Sequence, residues 1–424
     1  MSKSYGIKLS VKIDKYPELT IDFDKVFGVK HSKIGVAVSG GGDSIALLLL
    51  IYKWAQETKK TILVATVNHD LKPTAEHEAN QVSLFCSKLG ILHSVLTWKN
   101  WDKKGNVQAS ARKARYQLLT KWAVENNISC VALGHNRDDV VENFFIRLSR
   151  GAGVDGLSQM LPSFELDNII YLRPLIDVSR EELRTFLKVT KNKWIEDPAN
   201  DDQNFHRVRI RKSLSLLDQM GINTESVITA SKNLRDASQA LDIYTGVVAK
   251  ECVSFKDGDI IFNVPLLLNH PVEIQRRLLL KAILFLAKSE FGPRSSELSN
   301  LMTSFSKYRP HTLKGFYFFP VEEKMRMSRE YKAIEHYATK PNNVWDHRWY
   351  VKGPKLSKYC IRPLGEKALL GFTNWKNFGI PKYTLISSPA VWDGNNLELS
   401  LFLERDNLWE LSLNIKEKDF FGCD

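Results

Sequence analysis

Short apolar runs alternate with longer amphipathic stretches between residues 33 and 150. Four runs are rich in β-branched and aliphatic residues and are bounded by polar ones, which is typical of buried strands: residues 34–38, 62–67, 92–97 and 129–133. Helical spacing of apolar residues separates them near residues 43–58, 74–89 and 107–126. Strands separated by helices predict an α/β fold with a parallel sheet, whose ligands bind at the C-terminal ends of the strands.

The pattern changes near residue 215. Residues 216–340 are predicted to be mainly helical, with one hairpin at 253–262, because Asp257-Gly258 is a turn signal between two apolar runs. From about residue 341, short strand patterns mix with Pro, Gly and aromatic residues, which favours a small β-rich domain. We therefore predict three domains, residues 1–215, 216–340 and 341–424.

The charge balance favours a polyanionic partner. The 424 residues contain 60 Lys and Arg against 48 Asp and Glu, and residues 271–340 alone hold 13 Lys and Arg against 7 Glu and no Asp. A hydrophobic content of 43% and a charged content of 25% exclude a disordered or collagen-like chain. No apolar run approaches the roughly 20 residues of a membrane span, and the N-terminus has no apolar secretory segment.

The cysteines exclude two further classes. Cys86, Cys130, Cys252, Cys360 and Cys423 are odd in number, and no two form Cys-x-x-Cys, so neither a disulfide framework nor a metal-ligand spacing is present. Reduced, structural thiols in a cytoplasmic protein are the expectation.

A glycine-rich turn carries the sharpest chemical signal. The segment Ser39-Gly40-Gly41-Gly42-Asp43-Ser44 follows a predicted strand and opens a predicted helix. Glycine lets backbone N–H groups approach an anion, and a helix N-terminus attracts negative charge, so the turn predicts a phosphate or pyrophosphate site. It is not a Walker A loop, because no Lys follows the last glycine. A carboxylate at Asp43 would repel phosphate unless a divalent cation bridged them, which implies Mg²⁺.

A second group of polar residues follows the strand at 129–133. It begins at Gly134-His135, and Asp139 and Glu142 stand three residues apart on one face of a predicted helix. Two carboxylates there suit a metal ion or a cationic amine, and helix capping is the alternative explanation. Arg112 and Arg115, also three apart on a helix, suit phosphate oxygens or a solvated face.

Two other segments allow more than one interpretation. Residues 194–211 form an acidic turn that leads into Arg207, Arg209 and Arg211, which is either a binding segment or a surface loop. Residues 151–156 match G-x-G-x-x-G, but they follow a helical pattern instead of a strand, so a nicotinamide or flavin site is not predicted.

Together these segments resemble the tRNA(Ile)-lysidine synthetase family of PP-loop ATP pyrophosphatases. The glycine-rich turn is the superfamily signature. The combination of segments is more specific, and it spans roughly residues 34–212: residues 39–44, 67–71, 111–116, 134–156, 173–175, 194–200 and 207–211. The resemblance implies an N-terminal PP-loop domain of the adenine nucleotide α-hydrolase-like fold, followed by tRNA-binding domains.

The resemblance also implies an activity. Such an enzyme is a carbon–nitrogen ligase that attaches the ε-amine of free L-lysine to C2 of the wobble cytidine in tRNA(Ile) with a CAU anticodon. ATP adenylates the C2 oxygen, and AMP and pyrophosphate are released. The expected cofactors are ATP and Mg²⁺, no membrane is involved, and a homodimer is compatible with the family.

Site residues follow from the matched motifs. ATP binding is expected at residues 39–44 and His135, with Asp43 holding Mg²⁺ and Arg112 offsetting phosphate charge. Lysine binding is expected at Asp139, Glu142 and Arg207, so that Asp43, Arg112, Asp139 and Glu142 form the catalytic set. One of the two lysine-binding carboxylates would assist deprotonation of the amine, whose reference pKa is about 10.4.

The chain departs from the family pattern at two places. Val208 stands where the family has Asn in Arg-Asn-x-Ile/Leu-Arg, and Asp70-Leu71-Lys72 replaces the usual Gly-Leu-Arg. Two alternatives stay open: a PP-loop tRNA-thiolation enzyme, which would need reactive cysteines, and a non-enzymatic tRNA-binding protein that retains the fold.

Overall fold

A computed structural model of the chain describes residues 9–11, 19–28, 31–71, 73–99, 107–158, 160–197, 202, 204, 206–289, 292–354 and 356–422. The chain divides into two compact units, Met1–Ser238 and Gln239–Asp424. The predicted three-domain division stays a prediction.

The first unit is built on a six-stranded sheet. Its strands follow a short pair, β1 (Leu9–Val11) and β2 (Leu19–Ile21), and are β3 (Lys33–Ala37), β4 (Thr61–Asn68), β5 (Leu92–Thr97), β6 (Cys130–Leu133), β7 (Ser163–Leu166) and β8 (Ile169–Leu172). The order across the sheet is β5-β4-β3-β6-β8-β7, with all neighbours parallel except the β7–β8 pair. The chain leaves β3 in one direction to β4 and β5 and in the other to β6, so a crevice for ligands is expected between β3 and β6.

Helices separate the strands as the sequence predicted. They are α1 (Phe23–Phe27), α2 (Gly42–Thr58), α3 (Ala75–Lys88), α4 (Val107–Glu125), α5 (Arg137–Leu148), α6 (Val154–Leu157), α7 (Arg180–Val189) and α8 (His206–Gln219), and α9 (Thr224–Cys252) follows. The predicted α/β class with a parallel sheet is confirmed.

Both faces of this sheet are covered, which explains why its strands are nearly continuous apolar runs. Ile34 and Val36 pack with Leu47 and Ile51 of α2 on one face. On the other face, residues of α4 pack against the alternate strand positions: Leu119, Trp122, Val131 and Leu133. With both faces covered by helices, the edges at the strand ends are left for a ligand.

The second unit combines helices with antiparallel sheets. A five-stranded sheet in the order β11-β12-β13-β10-β9 packs with the C-terminal part of α9 and with further helices of this unit. Its elements are β9 (Val253–Lys256), β10 (Asp259–Asn263), α10 (Val264–Leu268), α11 (Val272–Ala287), α12 (Ser295–Ser306), β11 (His311–Leu313), β12 (Phe316–Val321) and β13 (Lys324–Arg329). The predicted hairpin is confirmed, with Asp257 and Gly258 at φ values of 53° and 76°. The strands β11–β13 were not predicted.

The C-terminal part of this unit is rich in short strands, as predicted. It contains α13 (Tyr331–Ile334), β14 (Val344–Trp345), β15 (Trp349–Lys352), β16 (Tyr359–Pro363), α14 (Gly365–Leu369), α15 (Lys382–Ile386), β17 (Pro389–Asp393), β18 (Asn396–Ser400), β19 (Glu410–Leu413) and α16 (Glu417–Phe421). These strands form two three-stranded sheets, β14-β15-β19 and β16-β17-β18.

A buried ionic group lies inside the second unit. The Asp259 carboxylate, 2% exposed, accepts from Arg326 Nε at 2.7 Å and from Thr384 Oγ1 at 2.6 Å. Burial raises the pKa of Asp259 against the opposing effect of Arg326. The arginine therefore provides the counter-charge that lets this carboxylate lie in the interior.

Two expectations about the chain as a whole can be compared with the structure. Within the described ranges, no helix is long and apolar enough to cross a membrane. Four cysteines that the structure describes are free thiols, and Cys86, Cys130 and Cys252 are buried. Cys423 lies outside the described residues.

Candidate active site

The glycine-rich turn joins β3 to α2 at the sheet edge where β3 and β6 end. Gly40 has a φ of +91°, a conformation that L side chains rarely adopt. Ser44 ties the turn together, because its hydroxyl donates to Gly41 O at 2.9 Å and accepts from Ser39 N at 3.2 Å. Gly134, at the end of β6, packs so closely that an added Cβ would lie 3.1 Å from Ser44 Cα.

The backbone N–H groups of this turn remain available. Among the hydrogen bonds of the described residues, the amides of Gly40, Gly41, Gly42 and Asp43 donate to no other group of the chain. Since α2 begins at Gly42, the partial positive charge of its N-terminus lies beside these amides. The turn thus has the free donors that an anion site requires.

A distant segment covers the turn from one side. Ile195 N donates to Gly40 O at 2.9 Å, and an added Cβ at Gly40 would meet Ile195 Cδ1 at 2.5 Å. Trp194 approaches Gly42 in the same way, with 3.4 Å between its Cδ1 and an added Cβ. The sequence singled out residues 194–200 but did not predict this contact, and residues 198–200 lie outside the described ranges.

Helix α5 presents the two carboxylates that follow β6. Asn136 caps the helix by accepting from Asp139 N at 3.0 Å, and Asp139 Oδ2 accepts from Asn136 N at 3.0 Å. One oxygen of Asp139 therefore caps the helix while Oδ1 contacts arginine side chains, and the binding interpretation of Asp139 stays a prediction. Glu142, one turn later, is fully buried.

One arginine connects all three predicted carboxylates. The guanidinium of Arg180, at the start of α7, lies 3.5 Å from Asp43 Oδ2, 3.3 Å from Asp139 Oδ1 and 3.0 Å from Glu142 Oε1. Its side chain is 14% exposed. The structure therefore brings Asp43, Asp139 and Glu142 together, through a residue that was not predicted from the sequence.

Two arginines of α8 complete the surroundings of Glu142. Arg207 Nε lies 2.7 Å from Oε2, and Arg211 Nε donates to Oε1 at 2.8 Å. Arg207 Nη2 also lies 3.5 Å from Asp139 Oδ1. Arg207 is 44% exposed and Arg211 32%, so these cations are more exposed than Arg180. Val208 faces the interior, 5% exposed.

Burial and charge move the pKa values of these groups in different directions. Burial raises the pKa of Asp139 against the opposing effects of Arg207 and Arg180, and it raises that of Asp43 against Arg180. For Glu142, burial alone would raise the pKa, but the arginines outweigh it and lower the pKa. Burial thus favours the protonated form of Asp139, whereas the arginines favour the ionised form of Glu142.

A second group of cations surrounds His135, which follows Gly134 at the end of β6. Arg173 Nε donates to His135 Nδ1 at 3.2 Å. Burial, reinforced by Arg115, Arg173 and Arg112, lowers the pKa of His135 to about 2, so the ring is neutral. In the described part of the chain, neither Arg112, Arg115 nor Arg173 forms an ion pair with a carboxylate. Arg112, predicted to be catalytic, therefore belongs to this group and not to the carboxylate cluster.

The sequence contains partial signals for Arg180 and Arg173, the two site arginines to which the sequence analysis gave no role. Ser179 and Glu182 form a capping box, S-x-x-E, which marks the start of α7 and places Arg180 in its first turn. Nothing local to that motif shows that α7 begins beside α5 and the glycine-rich turn. Arg173 lies in a matched segment but was given no role.

The protein side chains could hold a magnesium ion only together with substrate oxygens. Over the ranges that the structure describes, no group of three or more His, Cys, Asp or Glu could hold a metal. Asp43, however, is 26% exposed and lies at the free amides. Mg²⁺ is commonly held by one or two carboxylates together with substrate phosphates and water, and a single Asp43 suits that arrangement.

Known proteins are similar to this chain over most of its length. A family model described as a PP-loop domain matches residues 14–217. The tRNA(Ile)-lysidine synthase of Ruegeria pomeroyi is 36% identical over 390 residues, covering 92% of this chain and 93% of that protein. That of Wolbachia pipientis wMel is 36% identical over 346 residues, covering 79% and 80%.

Among solved structures, the U34-tRNA thiolase NcsA from Methanococcus maripaludis with its 4Fe-4S cluster has a TM-score of 0.44 at 18% identity. The match covers 50% of this chain and 75% of the thiolase chain, and the likeness is too distant to assign a function.

The parallel sheet, the free amides of the turn and the matched domain define a PP-loop protein that uses ATP. The identity over almost the whole length then decides among the activities of that class. The chain belongs to the tRNA(Ile)-lysidine synthase family, which confirms the predicted family, the ligase class and the role in tRNA modification.

Proposed function

We propose that the chain forms lysidine in two steps at the site described above. In the first, the C2 oxygen of the wobble cytidine of tRNA(Ile) attacks the α-phosphorus of ATP, and pyrophosphate leaves. In the second, the ε-amine of free L-lysine attacks C2, the carbon–oxygen bond breaks, and AMP leaves. The observation that carries this proposal is the meeting of Asp43, Asp139 and Glu142 around Arg180, beside the free amides.

The glycine-rich turn would hold the pyrophosphate part of ATP. Free N–H groups from Gly40 to Asp43 supply donors, and the N-terminus of α2 supplies partial positive charge. Asp43 would hold Mg²⁺, which when bound offsets negative charge on the phosphates. Arg112, Arg115 and Arg173 lack carboxylate partners among the described residues, so they are suited to the charge that develops on phosphate oxygens.

The carboxylate pair would receive the lysine substrate. Arginine head groups now occupy both carboxylates, and Arg207 is the most exposed of the three. We propose that the substrate ammonium replaces Arg207 at Asp139 and Glu142, and that Arg207 turns to the carboxylate of the substrate. Asp139, whose pKa is raised by burial, then takes the proton that the amine must lose before it attacks.

Two variants test this assignment. Glu142→Gln is expected to raise the lysine KM by roughly tenfold or more, the cost of one or two charge-assisted hydrogen bonds, with the ATP KM changed little. Asp139→Asn is expected to slow lysine transfer more than lysine-free pyrophosphate release. The assays are incorporation of radiolabelled lysine into transcribed tRNA and release of pyrophosphate, with Glu181→Gln on the exposed face of α7 as the control. Wild-type lysine dependence in Glu142→Gln would remove that residue from the lysine site.

Sulfur transfer is the main rival activity, and the thiols do not favour it. Burial raises the pKa of Cys130 to about 12 and that of Cys86 to about 11, which leaves almost no thiolate at neutral pH. A non-enzymatic tRNA binder would have no use for the carboxylate cluster. Lysine-independent tRNA binding without incorporation would favour the binder, and sulfur incorporation would favour the thiolase. We place the reaction in the cytoplasm, and the homodimer stays a prediction.

A further inference from the structure

The side chain of Arg180 makes contacts that no other arginine in the described site makes. Its three nitrogens each face a different carboxylate: Nε faces Asp43, Nη1 faces Glu142 and Nη2 faces Asp139. These carboxylates come from α2 and α5, which follow different strands of the sheet. Arg180 therefore joins the end of the site that carries the glycine-rich turn to the end that carries the lysine-binding pair.

The backbone that carries this side chain is fixed at several points. Arg180 N donates to Asp138 Oδ2 at 2.8 Å, and Arg137 N donates to Val178 O at 2.8 Å. The capping box of Ser179 starts α7, which packs Leu183 and Leu187 into the same core as α2. These contacts fix the backbone position of Arg180 relative to both α2 and α5.

The two arginines of α8 differ from Arg180 in reach and exposure. Arg207 contacts Asp139 and Glu142, and Arg211 contacts Glu142, so the described ion pairs of α8 do not extend to Asp43. At 14%, the exposure of Arg180 is less than half that of either. A largely shielded, planar guanidinium with three charged partners fixes the directions of all three, which a flexible ammonium cannot do.

We propose that Arg180 is a positioning residue that holds Asp43 and the pair Asp139–Glu142 in one arrangement, so that the ATP and the lysine subsites stay in register. This inference rests on the proposed function. It assigns Arg180 no contact with a reacting atom, and it distinguishes Arg180, which stays in place, from Arg207, which the substrate displaces. Loss of Arg180 should therefore impair both subsites, whereas loss of Arg211 should impair only one.

The test compares Arg180→Gln with Arg211→Gln and with the control Lys188→Gln, two turns along α7 and exposed. Arg180→Gln is expected to raise the lysine KM roughly tenfold or more and also to slow pyrophosphate release from ATP and tRNA without lysine. Arg211→Gln should raise only the lysine KM, and Lys188→Gln should match the wild type. A merely structural role would reduce the folded fraction, and hence kcat, but would leave the lysine KM unchanged.

A conservative pair keeps the test decisive if Arg180→Gln does not fold. Arg180→Lys retains the charge without the three-way fork, so its lysine KM should lie between those of the wild type and Arg180→Gln, with Lys188→Arg unchanged. A lysine KM at the control value in folded Arg180 variants would overturn the inference, as would failure of both variants to fold. Failure of the wild type to incorporate lysine would instead overturn the proposed function, and this inference with it.

Discussion

Adding one methyl group at Gly40 should destabilise the first unit, whereas the same change at Gly41 should not. Gly40→Ala places a Cβ at a φ of +91° and within 2.5 Å of Ile195 Cδ1. The backbone conformation costs about 1–2 kcal/mol, and displacement of Ile195 brings the expected loss of unfolding free energy to roughly 2–3 kcal/mol. At roughly 2–4 °C per kcal/mol for a unit of this size, Tm should fall by about 5–10 °C.

Gly41→Ala is the matched control. Gly41 has a φ of −68° and a ψ of 158°, and its added Cβ would find no heavy atom nearer than Ser39 Oγ at 3.7 Å. A weaker N-cap and a less flexible unfolded chain nearly cancel, so stability should change by less than about 1 kcal/mol. The methyl group would nevertheless crowd the free amides, so the ATP KM should rise.

Thermal unfolding and ATP-dependent pyrophosphate release separate these two effects. If Gly41→Ala binds ATP as the wild type does, the pyrophosphate does not rest on this turn. If Gly40→Ala is as stable as the wild type, the contact with Ile195 does not constrain the turn.

Three further predictions concern other parts of the chain. Because the pKa of His135 is about 2 when folded and 6.5 in the unfolded chain, the unfolded state binds the proton first and stability falls below pH 6.5. At pH 5.5, protonation of His135 in the unfolded chain should lower the free energy of unfolding by about 1.4 kcal/mol. His135→Gln should remove that contribution from the difference in unfolding free energy between pH 7.5 and pH 5.5. An unchanged difference would contradict this prediction. Arg326→Met should lower the free energy of unfolding by about 3–5 kcal/mol, because it leaves Asp259 buried without its counter-charge. Denaturant unfolding measures this change, and a decrease of less than about 1 kcal/mol would contradict the prediction. Neutralising the exposed Lys307 and Arg309 together should weaken tRNA binding. The slope of the logarithm of the binding constant against the logarithm of the salt concentration should fall by up to about one unit for each phosphate that is no longer bound. An unchanged slope would exclude these two residues from the tRNA-binding surface.

The elements of the first unit could be predicted from the sequence because their causes are local. Each buried strand is a short apolar run, and the predicted strand at 92–97 matches β5 residue for residue. The glycine-rich turn is equally local, since a strand, three glycines and a helix start follow one another. Strand order and the meeting of Asp43 with Glu142 depend on topology, which no window of sequence contains.

The strand β13 was missed for a different reason. The run Met325-Arg326-Met327-Ser328 alternates apolar and polar residues, which is typical of a half-exposed strand, yet all four side chains are buried. Arg326 is satisfied there by Asp259 and Asp257, with Thr384 of α15 also on Asp259. The buried ion pair of Arg326 with Asp259 thus gives the central strand β13 the sequence pattern of a charged surface segment.

The same ion pairs correct the simplest interpretation of the basic composition. Residues 271–340 hold 13 Lys and Arg, but Arg277 and Arg326 are each only 5% exposed and are paired with carboxylates. Their charge stabilises the second unit and is not available to a polyanion. The cations that can meet tRNA phosphates in this region are the exposed ones, such as Lys307 and Arg309, which makes them the relevant residues to neutralise.

The active site divides its charges in a way that suits two unlike substrates. Around Glu142, three carboxylates face three arginines, so that half of the site is close to neutral and contains both signs. Lysine carries two ammonium groups and one carboxylate, and it needs partners of both signs. Around His135, three arginines have no carboxylate partner in the described chain, and the ring itself is neutral. ATP and a tRNA backbone need such an excess of cations. Because Arg180 spans the carboxylates nearest both halves, a change there should disturb the use of both substrates at once.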